Sequence, residues 1–163
     1  MIFLETDRLC LRNVAPKDAA VMYDYRNNPA CARFQRGQTK DLTGIEKMVA
    51  DHQADVLTTE HNCLIAVADK KTDALIGEII VMPNDDCFSL GYTFHYAHHR
   101  QGFAFEALSA LIDILHSGYP DWEFISFTDK DNMPSMNLLK KLGYTDMGYI
   151  EKLDSQMFGK WVK

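Results

Sequence analysis

From Arg8 to Val14 apolar and polar residues alternate, the period of a strand with one buried face. Pro16-Lys17-Asp18 follows with the signs of a helix start, a proline in the first turn and an acid close behind. That helix is predicted to run to about Arg26, where Asn27-Asn28-Pro29 breaks it. Residues 30–60 are polar and weakly periodic, but Thr43-Gly44-Ile45-Glu46 opens a second predicted helix that continues to about Thr58, with Ile45, Met48 and Val49 on one face. Cys63 to Ala68 is a short continuous apolar run, as expected of a central strand. After the turn Lys70-Lys71-Thr72-Asp73, Ala74 to Met82 reads as its hairpin partner, with Glu78 as its sole charge. Pro83-Asn84-Asp85-Asp86 is another turn. In the next predicted strand, 87–95, Phe88, Leu90, Tyr92 and Phe94 alternate with Cys87, Ser89, Gly91 and Thr93.

The period then lengthens. Ala104, Ala107, Leu108, Leu111 and Leu115 recur at helical spacing between Gly102 and His116. Residues 123–128 read as a strand. Asn132-Met133-Pro134 opens a helix that Gly143 ends, with Lys140 and Lys141 in its last turn. Tyr144 to Ile150 and Gln156 to Val162 are predicted to close the fold as strands. The order β-α-α-β-β-β-α-β-α-β-β describes an α+β arrangement around one mixed sheet. No linker or repeat interrupts it, so residues 1–163 are expected to form a single domain.

Composition narrows the class. The chain is 47% hydrophobic and 25% charged, enough apolar material for a packed core and too little charge for disorder. Its net charge of -6 argues against nucleic acid or an anionic membrane surface as partner, and favours approach of a cation. No run approaches the ~18 apolar residues of a membrane span. The opening residues lack the basic and apolar regions of a signal peptide. Cys10, Cys31, Cys63 and Cys87 form no C-x-x-C pair, so reduced thiols and a cytoplasmic location are expected.

Candidate chemistry concentrates between Leu90 and Ala104, where a strand runs into a polar turn and the turn into a helix opened by Gly102. A helix start offers unpaired N–H groups and the positive end of the dipole, which together suit a pyrophosphate. Gly102 lets the backbone approach a ligand, Ala104 is small for the same reason, and His99 and Arg100 add donors. A tight turn before an amphipathic helix would need no more than the same glycine. Neither a P-loop Gly-Lys-Ser/Thr nor a G-x-G-x-x-G fingerprint is present. The run His95-Tyr96-Ala97-His98-His99 lacks the H-E-x-x-H spacing of a zinc site, and no metal is expected.

His99-Arg100-Gln101-Gly102-Phe103-Ala104 resembles the acetyl-coenzyme A signature Q/R-x-x-G-x-G/A of the GNAT superfamily of N-acetyltransferases, with histidine in the first position. Phe105-Glu106-Ala107-Leu108 continues in the manner of that family's Y-A-T-E-A-L helix. Leu4-Glu5-Thr6-Asp7-Arg8-Leu9-Cys10-Leu11-Arg12 is similar to the L-x-T-E-R-L-x-L-R opening of the RimJ/RimL-like branch, which acetylates the N-termini of ribosomal proteins. Asn132-Met133-Pro134-Ser135 and Lys141-Leu142-Gly143-Tyr144 resemble its N-x-x-S and K-L-G-F/Y segments. The resemblance extends over about residues 4–160.

It implies a GNAT fold, a mostly antiparallel mixed sheet with helices on both faces, and a splayed pair of parallel strands, 87–95 and 123–128, that holds acetyl-coenzyme A. Backbone groups around Phe94 and His95 would hold the pantetheine arm, and His99 through Ala104 the pyrophosphate. Asn132 would bond the pantetheine amides or simply cap its helix. Relatives carry a tyrosine where this chain has Leu139, so Ser135 becomes the candidate to assist the leaving thiolate; its alternative is to decorate the first helical turn. Glu78 is the candidate base for the amine, or else a core glutamate paired to an arginine, with His95 or a water chain as substitutes. Arg26 and Asn27 match the R-N-x-P turn bordering the acceptor site in the branch. The implied activity is acetyl transfer to a primary amine, a peptide N-terminus or a small amine, by a monomer or homodimer. A degenerate module that only binds coenzyme A, or an interaction domain that binds none, are the alternatives.

Overall fold

The computed structural model describes residues 1–163. An eight-stranded sheet runs in the order β1-β2-β3-β4-β5-β6-β8-β7. Its strands are β1 (Ile2–Glu5), β2 (Leu9–Asn13), β3 (Cys63–Asp69), β4 (Leu75–Asn84), β5 (Cys87–Phe94), β6 (Glu123–Thr128), β7 (Thr145–Ile150) and β8 (Ser155–Lys160). Only β5 and β6 are parallel; every other neighbouring pair is antiparallel. The helices are α1 (Ala19–Arg26), α2 (Pro29–Ala32), α3 (Leu42–His52), α4 (Phe103–Gly118) and α5 (Met133–Lys141).

The sheet divides the apolar residues into two cores. Leu9, Leu11, Ile65, Val67, Ile79, Phe88 and Phe124 pack beneath α4 and α5, which contribute Leu108, Leu111, Met136 and Leu139. Val14, Leu64 and Ala66 meet Met22 and Tyr25 of α1 and Ile45 and Val49 of α3 on the opposite face. The continuous apolar run of β3 follows from this: alternate residues feed different cores, so no position can be polar.

Several boundaries depart from the sequence pattern. β1 is not apparent in the sequence, because a four-residue edge strand whose only buried residue is Leu4 carries no usable period. The short helix α2 starts at Pro29, where a break is expected; Asn28 caps it by accepting from the Ala30 N–H. α3 ends at His52 rather than near Thr58, because Asp55 is drawn into the sheet: its carbonyl accepts from the Asn13 amide and its carboxylate from the Leu64 N–H, both at 2.8 Å. β4 continues through Pro83 to Asn84. β3 stops opposite Val81, so the donor that proline lacks has no partner strand to miss.

One buried polar network ties the second face together. Arg26, in the last turn of α1, and Glu78, at the centre of β4, are 4% and 5% exposed and form an ion pair. The Tyr25 hydroxyl donates to the same carboxylate, and the Arg26 Nη1 reaches the Thr39 carbonyl at 2.9 Å. Burial, then the charge of Glu78, pushes the Tyr25 phenol well above its ordinary value, so it stays a donor. Removing one partner leaves an uncompensated buried charge, which costs about 3–5 kcal/mol. Arg26→Met and Glu78→Leu should therefore each lower stability by about that amount in urea unfolding, whereas the double variant should lose much less than the sum. Additive losses would show that the two side chains do not depend on each other.

Candidate active site

β5 and β6 pair only at Cys87↔Glu123 and Phe88↔Phe124. Beyond these positions β4 holds β5 as far as Phe94, and β8 holds β6 as far as Thr128. The two strands are thus kept apart by their outer neighbours, and a wedge opens between residues 89–94 and 125–128. The His95 N–H donates to the Ile76 carbonyl at 2.8 Å, on the β4 side. By strand alternation the backbone groups of Leu90, Tyr92 and Phe94 face the wedge. Of the two residues expected to offer backbone there, Phe94 does so and His95 does not. The Phe94 carbonyl accepts from His99 Nε2 at 2.7 Å and from the Cys31 thiol at 3.2 Å, and the Tyr92 carbonyl from the Gln35 amide at 3.2 Å.

The turn after β5 presents donors. Arg100 and Gly102 both have positive φ, 61° and 80°. Glycine at 102 is favoured by that left-handed conformation at the helix N-cap, a constraint independent of ligand clearance. No N–H from Arg100 through Phe105 donates to an acceptor in the protein. These groups, with the N-terminus of α4, present a row of free donors suited to an anion. The Arg100 side chain is exposed and unpaired. Gln101 reaches back to the Ala97 carbonyl at 3.1 Å, and Ala104 is half-buried in the first turn of α4. His99 is tied to the end of β5; since a carbonyl only accepts, its Nε2 carries the proton.

The histidine run does not converge. His95 Nδ1 accepts from the Ala97 N–H at 3.0 Å, so its proton lies on Nε2, which donates to Asp24 at 3.1 Å. Tyr96 donates to the same carboxylate at 2.8 Å. Both nitrogens of His95 are therefore engaged, which weakens it as a base.

Across the wedge, Asn132 caps α5: the Ser135 N–H donates to its Oδ1 at 3.3 Å. Leu139 is buried in the core. The Ser135 hydroxyl lies 2.7 Å from the Tyr92 hydroxyl. Burial raises the Tyr92 phenol above its ordinary value, and the bond to Ser135 offsets this only in part. Tyr92 was not legible as a site residue, since it shares its strand face with Phe88, Leu90 and Phe94 and reads as core; only the fold brings its hydroxyl to Ser135.

The residues expected at the acceptor side are already engaged within the protein, Arg26 buried and Asn27 exposed. Arg26 and Glu78 pair with each other, as the core alternative for Glu78 had it. The Asn27 amide donates to the carbonyls of Tyr23 and Lys40, both at 2.8 Å. The segment 33–41 instead spans the wedge. Gln35 and Gln38 bond β5, the latter through Thr93 Oγ1 at 3.1 Å. Arg36 bonds the far side, reaching the Asp154 carbonyl at 2.8 Å, the Leu153 carbonyl and Ser155 hydroxyl at 3.2 Å, and the Asp129 carboxylate at 3.2 Å.

No helix is long and apolar enough to cross a membrane. Among known proteins the chain is 24% identical over 157 residues to an uncharacterized N-acetyltransferase, p20, of Bacillus licheniformis, covering 90% of this chain and 84% of that protein. Its fold is similar to a GNAT-family acetyltransferase from Bacillus anthracis, with a TM-score of 0.81 and 17% identity over 98% of this chain and 96% of that one. It is also similar to RimL, a ribosomal L7/L12 α-N-protein acetyltransferase solved with coenzyme A, with a TM-score of 0.83 and 13% identity over 98% and 97% of the two chains. Residues 8–145 match the family model of the acetyltransferase (GNAT) domain, and the chain belongs to that family of acetyltransferases.

Proposed function

We propose that this acetyltransferase takes its acetyl group from acetyl-coenzyme A and delivers it to the α-amine of a peptide or protein N-terminus. The observation that carries the cofactor is the row of unpartnered N–H groups from Arg100 to Phe105 beside the wedge between β5 and β6. RimL, similar in fold, is known with coenzyme A bound.

The residues divide the work as follows. Arg100 and the N–H groups from Gln101 through Ala104 hold the pyrophosphate, with His99 bracing the turn. The wedge edge of β5 at Phe94 holds the pantetheine arm and directs an N–H at the thioester oxygen, where negative charge develops as the amine attacks. The new C–N bond forms, the C–S bond breaks, and a thiolate leaves. Ser135 donates a hydrogen bond to that thiolate, and Tyr92 donates in turn to Ser135. A thiol titrates near ~8.5 and tyrosine near ~10, and burial moves Tyr92 further up. Full transfer from Tyr92 would therefore run uphill, so the pair stabilises the thiolate until it takes up a proton from bulk solvent, matching the one that the amine releases there.

The amine must lose a proton, and neither candidate base is free. Glu78 is ion-paired to Arg26, and both nitrogens of His95 are engaged. We assign that proton to water in the wedge. This arrangement favours an acceptor that is already partly neutral. An α-amine titrates near ~8 and a lysine-type amine near ~10.4, so at neutral pH the neutral fraction differs by about two orders of magnitude.

Ser135→Ala and Tyr92→Phe should each lower kcat by about tenfold or more with little change in KM for acetyl-coenzyme A; unchanged kcat with chemistry shown to be rate-limiting would refute the roles. The dependence of kcat/KM for the acceptor on pH should rise with unit slope and level off near ~8, following the α-amine. A plateau reached well below the acceptor's own pKa would reveal a protein base. Peptides with free N-termini should be acetylated in preference to blocked peptides carrying lysine, spermidine or aminoglycosides. Turnover confined to the small amines would leave acetyl transfer standing and refute the peptide acceptor.

A further inference from the structure

We propose that Arg8, from the turn between β1 and β2, is a cofactor-binding residue whose guanidinium contacts the diphosphate bound at the turn 100–105. The proposal rests on the acetyl-coenzyme A reading above. The Arg8 Nε donates to Glu106 Oε2 at 2.7 Å, its Nη2 lies 2.7 Å from the same oxygen, and its Nη1 donates to the Gln101 carbonyl at 3.0 Å. The guanidinium carbon sits 4.2 Å from the centre of the Phe103 ring. A side chain anchored on Gln101, Phe103 and Glu106 has its orientation set by the phosphate turn itself.

The anchoring is itself reinforced. Glu106 Oε1 accepts from the Thr6 hydroxyl at 2.6 Å and from the Arg8 backbone N–H at 3.0 Å, and Thr6 Oγ1 accepts from the Leu9 N–H at 3.0 Å. Burial alone would raise the Glu106 carboxyl, but these bonds and the guanidinium overcome it and hold the group below its usual value, hence ionised at neutral pH.

The guanidinium has five N–H donors; two hydrogen-bond Glu106 and Gln101, and Nη2 stands at ion-pair distance from Glu106. The remaining N–H groups are free, and the side chain is 45% exposed. Its Nη2 lies 3.5 Å from where a Cβ on Gly102 would stand, beside the N-cap of the unpartnered row.

Charge makes the same case. The chain is acidic overall, and Glu106 places a carboxylate in the first turn of the helix that must receive phosphates. That acid suits the helix dipole and repels the ligand. Arg8 cancels it at contact distance. Neither nearby histidine adds a free charge to the turn: burial, then nearby His95, lowers the His98 imidazole, and His99 is tied to the Phe94 carbonyl; Lys141 lies over the Phe105 ring, 4.3 Å from its centre. Arg100 and Arg8 are the guanidinium groups at the turn itself. A charge-assisted pair to phosphate is worth about tenfold or more in affinity.

Calorimetric titration of the full chain with coenzyme A, with 3′-phospho-ADP and, by competition, with S-acetylpantetheine tests this. Arg8→Met should raise Kd for coenzyme A and for 3′-phospho-ADP about tenfold, flatten their dependence on salt, and leave competition by the phosphate-free S-acetylpantetheine unchanged. An Arg8→Met protein that binds coenzyme A as tightly as the parent overturns the proposal. So does a loss that S-acetylpantetheine shares equally, because that marks a deformed wedge. Arg8→Lys, which keeps the charge but cannot span Gln101 and Glu106 together, should show an intermediate loss confined to the phosphate-bearing ligands, and decides the matter should the methionine variant unfold. A parent protein that binds no coenzyme A at all would instead refute the acetyl-coenzyme A reading.

Discussion

Everything at this site depends on β5 and β6 parting after Phe88 and Phe124. A parallel pair elsewhere in a sheet would continue to bond, since unpaired backbone inside a domain is unfavourable. Here each strand is fully occupied on its other edge, β5 by β4 and β6 by β8, so the sheet holds together while its middle opens. The opening leaves strand-edge donors and acceptors unpaired by any strand, and an extended amide chain is the chemistry that fits such an edge. The exposed carbonyls of Tyr92 and Phe94 are met by Gln35, Cys31 and His99, so the wedge is a polar cleft and not a defect in the core.

The two flanks of the wedge are joined by side chains from distant parts of the chain. On one side the N-terminal strands reach the start of α4 through Thr6, Arg8 and Glu106. This contact explains why the motif around Thr6-Asp7-Arg8 and the acid at 106 occur in one protein: each completes the other's hydrogen bonds, and the pair stabilises a turn strained by positive φ at Arg100. On the other side the segment 33–41 bridges β5 to the β7–β8 hairpin through Gln35, Gln38 and Arg36. Segment 33–41 therefore couples the two arms of the wedge.

The buried network of Tyr25, Arg26 and Glu78 changes how the chemistry is read. An isolated acid in an apolar strand is either a poised catalyst or half of an ion pair, and sequence cannot distinguish them when the partner is 52 residues away. Desolvation decides it: at this burial an unpaired carboxylate would be too unfavourable, and Arg26 supplies the compensation. With that acid engaged by Arg26 and His95 held by Asp24 and Ala97, both side chains that could have served as a base are already bonded within the protein.

The order of elements apart from β1 and α2, the buried strand β3, the amphipathic α4 and the glycine-opened turn at 102 were legible in the sequence, because each is governed by local periodicity or by a backbone conformation that few residues adopt. The motifs around Arg8, Gly102 and Asn132 likewise sufficed for the family resemblance. Local pattern could not show β1, whose four residues acquire meaning only by pairing with β2, nor the early end of α3, which Asp55 imposes through β2 and β3. Nor could it tell which aromatic residue reaches Ser135: Tyr92 has the period of a core residue, and its hydroxyl meets Ser135 only because the fold brings α5 to β5. Identity and spacing along the chain set the elements and the turn; which groups face the wedge, and which are already bonded to something else, was decided by contacts between residues far apart in sequence, where hydrogen bonding and desolvation act through space.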